Sequence, residues 1–175
     1  MTPTAHLAPE VLAGARDLMD AAFDDFTDHD WSHALGGLHA VVVHDGRVVA
    51  HASLVQRRLL VGGASGRSLR CGYVEAVAVD PAHQGTGLGA RVMTEVEDLA
   101  PGHDLLALSA SERAAGFYAA RGWRLWRGPS SVMAPGGLEP TPDDDGAIFV
   151  LDGPSGPGLD LDAPIACDWR DGDVW

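Results

Sequence analysis

The sequence contains no lysine, and this absence excludes one large class of nucleotide-binding site. A P-loop holds phosphates with a lysine followed by Ser or Thr, so this chain has no P-loop. All 12 basic residues are arginine, against 25 Asp and Glu residues, and the formal net charge is −13. This balance argues against nucleic acid as a partner, because nucleic-acid binding needs a basic surface. It leaves two interpretations open: an affinity for cationic small molecules or basic peptides, or a charge that serves solubility alone.

Cysteine and long apolar runs are scarce as well. Cys71 and Cys167 are too few and too far apart in the chain for a disulfide framework. The first residues lack the basic patch and apolar core of a secretory signal, and no apolar run approaches the roughly 20 residues that cross a bilayer. These absences predict a cytoplasmic protein with reduced thiols and no membrane partner.

A glycine turn follows the most apolar stretch of the chain. Residues Cys71 to Val79 are rich in valine and alanine and uncharged except for Glu75, which predicts a strand buried on both faces. Asp80-Pro81 ends that strand, since proline lacks a ladder donor. Glycines then alternate, and apolar residues recur at helical spacing after them. The glycines are Gly85, Gly87 and Gly89, and the apolar residues are Leu88, Val92, Val96 and Leu99.

The chemistry of such a turn favours an anion. Backbone N–H groups at the start of a helix lack intrahelical partners and lie at the positive end of the helix dipole. Glycines allow a phosphate to approach them closely, although a glycine turn is also compatible with a tight packing corner. The spacing G-x-G-x-G departs from the G-x-G-x-x-G fingerprint of dinucleotide-binding folds.

The rest of the chain predicts an α+β protein with a mixed sheet in a single domain, residues 1–175. Asp45-Gly46 predicts a two-residue hairpin turn. Asp30 is the predicted cap of a short helix that runs through Leu35, and Ser111 the predicted cap of a later one, which Gly122 ends. The helix after Ser111 is predicted to run from Glu112 to Arg121, and a further helix is predicted at Pro9–Phe23. The other predicted strands are Leu38–His44, Arg47–Val61, Leu105–Leu108, Ala147–Leu151 and Ile165–Trp169, with turns at Gly62–Ser68 and Gly153–Gly158.

The C-terminal part is acidic and aromatic, and it shows no metal motif. From Glu139 to Trp175 there are ten acids and one base. Asp143-Asp144-Asp145-Gly146 departs from the D-x-D-x-D-G spacing of a calcium loop, and His29 with His33 lacks a third ligand. We therefore predict no metal, and we expect Trp169 and Trp175 to pack against the domain.

Gln84-Gly85-Thr86-Gly87-Leu88-Gly89 resembles the Q/R-x-x-G-x-G/A pyrophosphate loop of the GNAT superfamily of N-acetyltransferases. The Phe117-Tyr118 pair that precedes Gly122-Trp123 is similar to another part of that pattern. The resemblance implies a mostly antiparallel mixed sheet, flanked by helices and with splayed central strands, and acetyl-coenzyme A as co-substrate. The coenzyme-binding residues that it implies are Ala76, Val77, Val79, Gln84, Gly85, Thr86, Gly87, Leu88, Gly89 and Ser109.

Other segments resemble a narrower family, the aminoglycoside 2'-N-acetyltransferases. These segments are residues 36–40, 56–59, 69–75, 141–146 and 167–175. The resemblance implies a polycationic acceptor and a homodimer, with the strands after Trp123 as candidates for the dimer contact. The acceptor-binding residues that it implies are Asp25, Asp30, Glu75, Ser109, Asp144, Asp173 and Trp175 with its terminal carboxylate. Each acid taken alone is equally explained as a solvated surface group.

Catalysis requires that the acceptor ammonium lose a proton, and Glu75 is the candidate base, through water. The alternative for Glu75 is a salt bridge to Arg57 or Arg58. By resemblance, the N–H of Val77 stabilises the oxyanion and Tyr118 protonates the departing thiolate, for which an ordinary tyrosine pKa near 10 is suitable. Packing against Phe117 is the alternative role of Tyr118.

We expect direct transfer to the amine. Two other functions stay open: an acetyltransferase for another amine, such as a cell-wall amino sugar or polyamine, and a module that binds coenzyme or aminoglycoside without turnover.

Overall fold

The computed structural model describes residues 1–153 and 158–175. The predicted turn at Gly153–Gly158 falls mostly outside those residues. The helices within them are α1 (Pro9–Ala22), α2 (Asp28–Ala34), α3 (Leu88–Glu97) and α4 (Glu112–Ala120). The strands within them are β1 (Thr2–Pro3), β2 (Leu38–His44), β3 (Arg47–Val61), β4 (Arg67–Val79), β5 (Leu105–Ser109), β6 (Arg124–Leu125), β7 (Ser130–Ala134), β8 (Gly137–Pro140), β9 (Ile148–Asp152) and β10 (Ile165–Asp168).

The chain divides into two compact units. The first comprises Met1–Val55 and Val74–Leu99, and the second Gln56–Tyr73 and Ala100–Trp175. Strands β3 and β4 therefore contribute residues to both units. The prediction of a single domain over residues 1–175 stays a prediction.

In the first unit, β2 pairs antiparallel with both β1 and β3. The β2–β3 turn has Asp45 at φ 49° and Gly46 at φ 77°, the conformation that the Asp-Gly pair predicted. A shift of register between Val42 and Val43 marks a β-bulge further along this hairpin.

Helix α1 supplies much of the first unit's core. Its buried face carries Ala15, Leu18 and Met19, which cluster with Val48 and Ala78 from β3 and β4. Pro9 occupies the start of the helix, where its missing N–H costs nothing. The helical spacing of apolar residues thus identified α1 correctly.

The predicted cap of α2 is wrong. The N-cap is Thr27, whose hydroxyl accepts the N–H of Asp30 at 3.3 Å, while the Asp30 carboxylate accepts the N–H of Thr27 at 2.8 Å. This reciprocal pair is a capping box, and it places Asp30 inside the first turn rather than before it.

The second unit contains a mixed sheet in the order β6-β9-β5-β4-β3-β10-β7-β8. Parallel pairs join β4 with β5 and β10 with β7, whereas β5–β9, β6–β9, β10–β3 and β7–β8 are antiparallel. The predicted α+β class with a mostly antiparallel mixed sheet is confirmed. Residues 105–108 of β5 are all buried. The β7–β8 hairpin was not predicted from the sequence.

Helix α4 has nearly its predicted bounds. Ser111 occupies the N-cap, but its side chain makes no capping hydrogen bond to any described residue. Gly122 follows the helix at φ 89°, the left-handed conformation for which a C-terminal glycine is suited.

The final residues are packed only in part. Trp175 is 4% exposed, its indole Nε1–H donates to Thr141 Oγ1 at 3.0 Å, and the Cys167 thiol donates to the carbonyl of Val174 at 3.2 Å. Trp169 is 49% exposed, so the expectation that it packs is wrong. The two tryptophans differ in exposure because the bonds from the Trp175 indole and to the Val174 carbonyl hold only the last two residues, which follow Trp169 in the chain.

Candidate active site

The glycine turn of the first unit has the geometry of an anion site. Strand β4 ends at Val79, and a 3-10 turn at Pro81–His83 leads to the loop. The Asp80 carboxylate accepts the N–H of Ala82 at 2.9 Å, which together with His83 lowers the pKa of Asp80. The Gln84 side chain donates to the Val79 carbonyl and the Thr86 hydroxyl to the His83 carbonyl, so local bonds fix the loop.

Gly85 and Gly87 have φ angles of 75° and 87°, which L side chains rarely adopt. A Cβ placed at either glycine would meet no atom of the described chain within 4 Å, so the loop faces open space. Gly87 caps α3 without a side-chain bond from any described residue. The first amides of α3 are therefore available to an incoming anion, and these residues fit a coenzyme diphosphate.

Strand β4 distorts at the predicted catalytic residues. Ala76 has φ 51°, an unusual left-handed value for a non-glycine residue within a strand. Its carbonyl accepts the Nδ1–H of His51 at 2.7 Å, and the carbonyl of Glu75 accepts the hydroxyl of Ser53 at 3.2 Å. Glu75, Ala76 and Val77 are each half-buried, so solvent reaches this part of the strand.

The other predicted acceptor residues of the first unit are Asp25 and Asp30. Asp25 is exposed. Asp30 accepts the N–H and the hydroxyl of Thr27 through one oxygen, Oδ2. These two bonds give the carboxylate a structural role in addition to any contact with a ligand. Its other oxygen, Oδ1, takes part in neither of them.

In the second unit, Tyr118 lies in an aromatic cluster. It is 7% exposed, and its ring centroid lies 5.2 Å from Phe117, 6.1 Å from Trp123 and 6.3 Å from Phe149. Burial raises the pKa of Tyr118 to about 12. The ordinary pKa assumed from sequence is therefore corrected upward, and the hydroxyl keeps its proton at neutral pH. Ser109 ends β5 with its side chain exposed.

The structure brings together three predicted acceptor residues of the second unit: Asp144, Asp173 and Trp175. The main-chain N–H of Trp175 donates to Asp173 Oδ1 at 3.1 Å. Asp144 ends a 3-10 turn, and burial, followed by the charge of Asp173, raises its pKa. A cation bound beside Asp144 and Asp173 would offset the repulsion between their charges, and an ammonium group of a polycationic acceptor is such a cation.

Two arginines make contacts near this acidic corner that were not predicted from the sequence. Arg170 donates to the main-chain oxygens of Asp173 and Trp175, both at 2.8 Å. Arg57 donates to Asp168 Oδ1 at 2.8 Å and to the Asp168 carbonyl at 2.7 Å. Both guanidinium groups lie over the ring of Tyr73. The sequence carries no signal for the Arg57–Asp168 contact, since the two residues lie far apart in the chain and the pairing of β3 with β10 brings them together.

Neither a metal centre nor a membrane span emerges from the described residues. Within residues 1–153 and 158–175, no three His, Cys, Asp or Glu side chains are grouped so that they could hold a metal ion. In the same residues, every helix is too short or too polar to traverse a lipid bilayer.

Comparison with known proteins assigns the family. Residues 9–123 match the model of the acetyltransferase (GNAT) family, a span that includes the glycine loop and α4. An aminoglycoside 2'-N-acetyltransferase of Mycolicibacterium fortuitum is 52% identical over 176 residues, covering 98% of this chain and 89% of that protein. The chain belongs to the GNAT family of acetyltransferases.

Two solved GNAT structures share its fold. YhbS of Escherichia coli, in complex with CoA, has a TM-score of 0.63 at 18% identity over 94% of this chain and 87% of its own. A GNAT acetyltransferase of Brucella melitensis, in complex with acetyl-CoA, has a TM-score of 0.58 at 21% identity over 94% and 93%. At these identities the similarity shows the GNAT fold.

Proposed function

We propose that this protein transfers the acetyl group of acetyl-CoA to the 2'-amine of aminoglycosides. The observation that carries the proposal is the end-to-end match to the M. fortuitum enzyme, which spans both the glycine loop and the acidic tail. The acidic corner formed by Asp144 and Asp173 supports it, because an aminoglycoside brings several ammonium groups that need anionic partners.

Acetyl-CoA supplies the acetyl group as an activated thioester. In our proposal, Ala76, Val77, Val79, the loop from Gln84 to Gly89 and Ser109 bind it, with the amides of the loop directed toward its diphosphate. Asp25, Asp30, Asp144, Asp173 and Trp175 bind the ammonium and hydroxyl groups of the acceptor, and Ser109 and Glu75 contact it near the reacting amine.

Three groups carry the chemistry in this proposal. Glu75 takes a proton from the acceptor ammonium through water, which exposes the lone pair that attacks the thioester. The N–H of Val77 stabilises the negative charge that forms on the carbonyl oxygen. Tyr118 donates a proton to the departing sulfur, and its raised pKa of about 12 keeps that proton in place at neutral pH.

The test is an assay of thiol release from acetyl-CoA with purified protein. Release is expected with tobramycin or gentamicin, which carry a 2'-amine, and not with kanamycin A, which carries a hydroxyl there. Mass spectrometry of the product then locates the acetyl group. Equal rates with kanamycin A would contradict the 2'-assignment, and turnover of an amino sugar or polyamine alone would assign a different acceptor.

We further propose that the protein is a cytoplasmic homodimer. In the second unit, β6 and β8 end the sheet and carry the exposed residues Leu125 and Leu138, and such edges are suited to pairing with a second copy. Sedimentation equilibrium of the wild type and Leu138→Glu tests this. A monomeric wild type would contradict it.

A further inference from the structure

A buried chain of hydrogen bonds runs through the first unit from Thr4 to strand β4. Thr4 Oγ1 lies 2.7 Å from His39 Nε2, His39 Nδ1 lies 2.9 Å from His51 Nε2, and His51 Nδ1 lies 2.7 Å from the Ala76 carbonyl oxygen. His39 is 1% exposed and His51 0%. Two histidines buried in this way need a full set of partners, since an unmatched polar group inside a protein is costly.

The chain of contacts determines the tautomer of both rings. A carbonyl oxygen only accepts, so Nδ1 of His51 carries a hydrogen. Burial lowers the pKa of His51 to about 4, which keeps the ring neutral and makes Nε2 an acceptor. His39 therefore donates from Nδ1, and its Nε2 is an acceptor. The single hydrogen of the Thr4 hydroxyl has two acceptors in reach, His39 Nε2 at 2.7 Å and the Gly37 carbonyl at 3.3 Å, and the shorter distance favours His39. The same hydroxyl accepts the N–H of Gly36 at 2.9 Å.

The final acceptor, the carbonyl of Ala76, belongs to the same peptide group as the N–H of Val77. A peptide group is planar and trans, so the direction of the C=O also sets the direction of the N–H. Ala76 is held at φ 51°, a conformation that costs an L-residue about 1–2 kcal/mol. The bond from His51 opposes that cost and holds the peptide group in its turned orientation.

The same bond affects the strength of the N–H as a donor. Donation to a carbonyl oxygen polarises the peptide group, and hydrogen bonds in such a chain strengthen one another by about 10–30% each. The preceding peptide group is held independently, since Ser53 donates to the carbonyl of Glu75. The distorted turn of β4 is therefore fixed from β3 at two successive carbonyls.

We propose that His51 is a positioning residue for acetyl transfer: it orients and polarises the 76–77 peptide group so that the N–H of Val77 donates to the thioester carbonyl. His39 and Thr4 hold His51 in the tautomer that this requires. The inference rests on the role proposed above for Val77. It adds a residue that touches neither substrate.

The test compares His51→Leu, which removes the donor, with His51→Asn, whose side-chain N–H₂ can replace Nδ1–H. His6→Asn, at an exposed histidine of the same unit, is the control. His51→Leu is expected to lower kcat by about tenfold or more with the KM for acetyl-CoA within about twofold, because the donor acts mainly in the transition state. His51→Asn is expected to restore a large part of kcat.

A second readout needs no acceptor. Infrared spectra of bound acetyl-CoA, carbon-13 labelled at the thioester carbonyl, are expected to show a stretch at lower frequency than in solution. This shift shrinks in His51→Leu and returns in His51→Asn. Nitrogen-15 spectra of the imidazoles are expected to show a hydrogen on Nδ1 of both His39 and His51.

The inference would be overturned by an unshifted thioester carbonyl in the wild type, by an unchanged kcat and carbonyl shift in His51→Leu, or by a hydrogen on Nε2 of His51. A loss of folding in His51→Leu that His51→Asn does not repair would reduce His51 to a structural role and overturn it too. If aminoglycosides are not acetylated, the acceptor assignment fails, while the carbonyl shift still decides the role of His51.

Discussion

Glu75 is the residue at which the proposed chemistry is most directly testable. Its carboxylate side chain is half-buried on the distorted part of β4, and its main-chain carbonyl is held by Ser53. Of the two alternative partners named from sequence, Arg57 and Arg58, Arg57 forms a salt bridge with Asp168. A carboxylate in this position is suited to general base catalysis.

Glu75→Gln is expected to lower kcat by about 10²-fold, in the range typical of general bases. The loss is expected to be greatest at low pH, where the acceptor amine is fully protonated, while the affinity for coenzyme A is retained. Steady-state kinetics across pH check this against Glu10→Gln, the same change at an exposed site of the same unit. Unchanged activity at every pH would remove Glu75 from the base role.

Asp173→Asn tests the acidic corner. The substitution removes the charge but keeps the oxygen that accepts the N–H of Trp175. The KM for the aminoglycoside is expected to rise about tenfold or more, as for the loss of a charge-assisted bond, while the KM for acetyl-CoA stays constant. The pKa of Asp144 is also expected to fall, because a like charge has been removed. Kinetics and carboxyl NMR check this, with Asp98→Asn as control. Equal losses for both substrates would indicate a folding defect instead.

At the scale of elements, the loop between β4 and α3 was accessible to sequence reasoning because its determinants are local. A proline ends the strand, glycines permit positive φ, and apolar spacing identifies the helix. Asp45-Gly46 was predictable for the same reason. The cap of α2 was not, because Thr27 and Asp30 both satisfy the residue preference for an N-cap, and only their reciprocal bonds show that Thr27 is the cap.

Gly87→Ala is expected to destabilise the protein by about 1–2 kcal/mol, since alanine is strained at φ 87°. The affinity for coenzyme A is expected to fall as well, because relief of this strain rotates the first amides of α3. Urea unfolding and calorimetry with coenzyme A check this. Gly102→Ala is the matched control, since a Cβ there meets no described atom within 4 Å and its φ is not positive. Equal coenzyme affinity in both variants would contradict a role for the loop amides.

At the scale of the whole molecule, the net charge of −13 acts on the two substrates in opposite ways. A polycationic aminoglycoside is attracted to the protein, whereas the anionic coenzyme is repelled. Raising NaCl from about 50 to about 500 mM is expected to lower kcat/KM for the aminoglycoside severalfold and to leave unchanged or raise that for acetyl-CoA. Parallel salt effects on both substrates would show that long-range charge is not involved.

The buried histidines give the stability of the molecule a pH dependence. The pKa of His51 falls from 6.5 to about 4 on folding because burial disfavours the charged ring, and burial lowers the pKa of His39 as well. Above pH 6.5 both states are neutral at His51 and its stability contribution is complete. As the pH falls from 6.5 toward 4, His51 becomes protonated in the unfolded chain but stays neutral in the folded chain, so stability is lost.

Wild type is therefore expected to lose about 2 kcal/mol more than His51→Asn between about pH 7.5 and about pH 5. Urea unfolding of both proteins at the two pH values measures this difference in the free energy of unfolding. The carboxylates are the same in both proteins, so their contributions cancel. Parallel pH profiles would show that His51 titrates normally in the folded state.

The strand-loop-helix unit, the Asp-Gly turn and the helical faces were determined by the sequence alone, because each depends on neighbouring residues. The pairing of His39 with His51 was decided only by tertiary structure. If the hairpin continued from its turn without a bulge, Ala40 would pair with His51. The rings of His39 and His51 would then lie on opposite faces of the sheet. The register shift between Val42 and Val43 pairs Val41 with His51 and His39 with Ser53 instead. One residue of shift thereby puts both histidines on one face, in reach of the turned peptide group at Ala76.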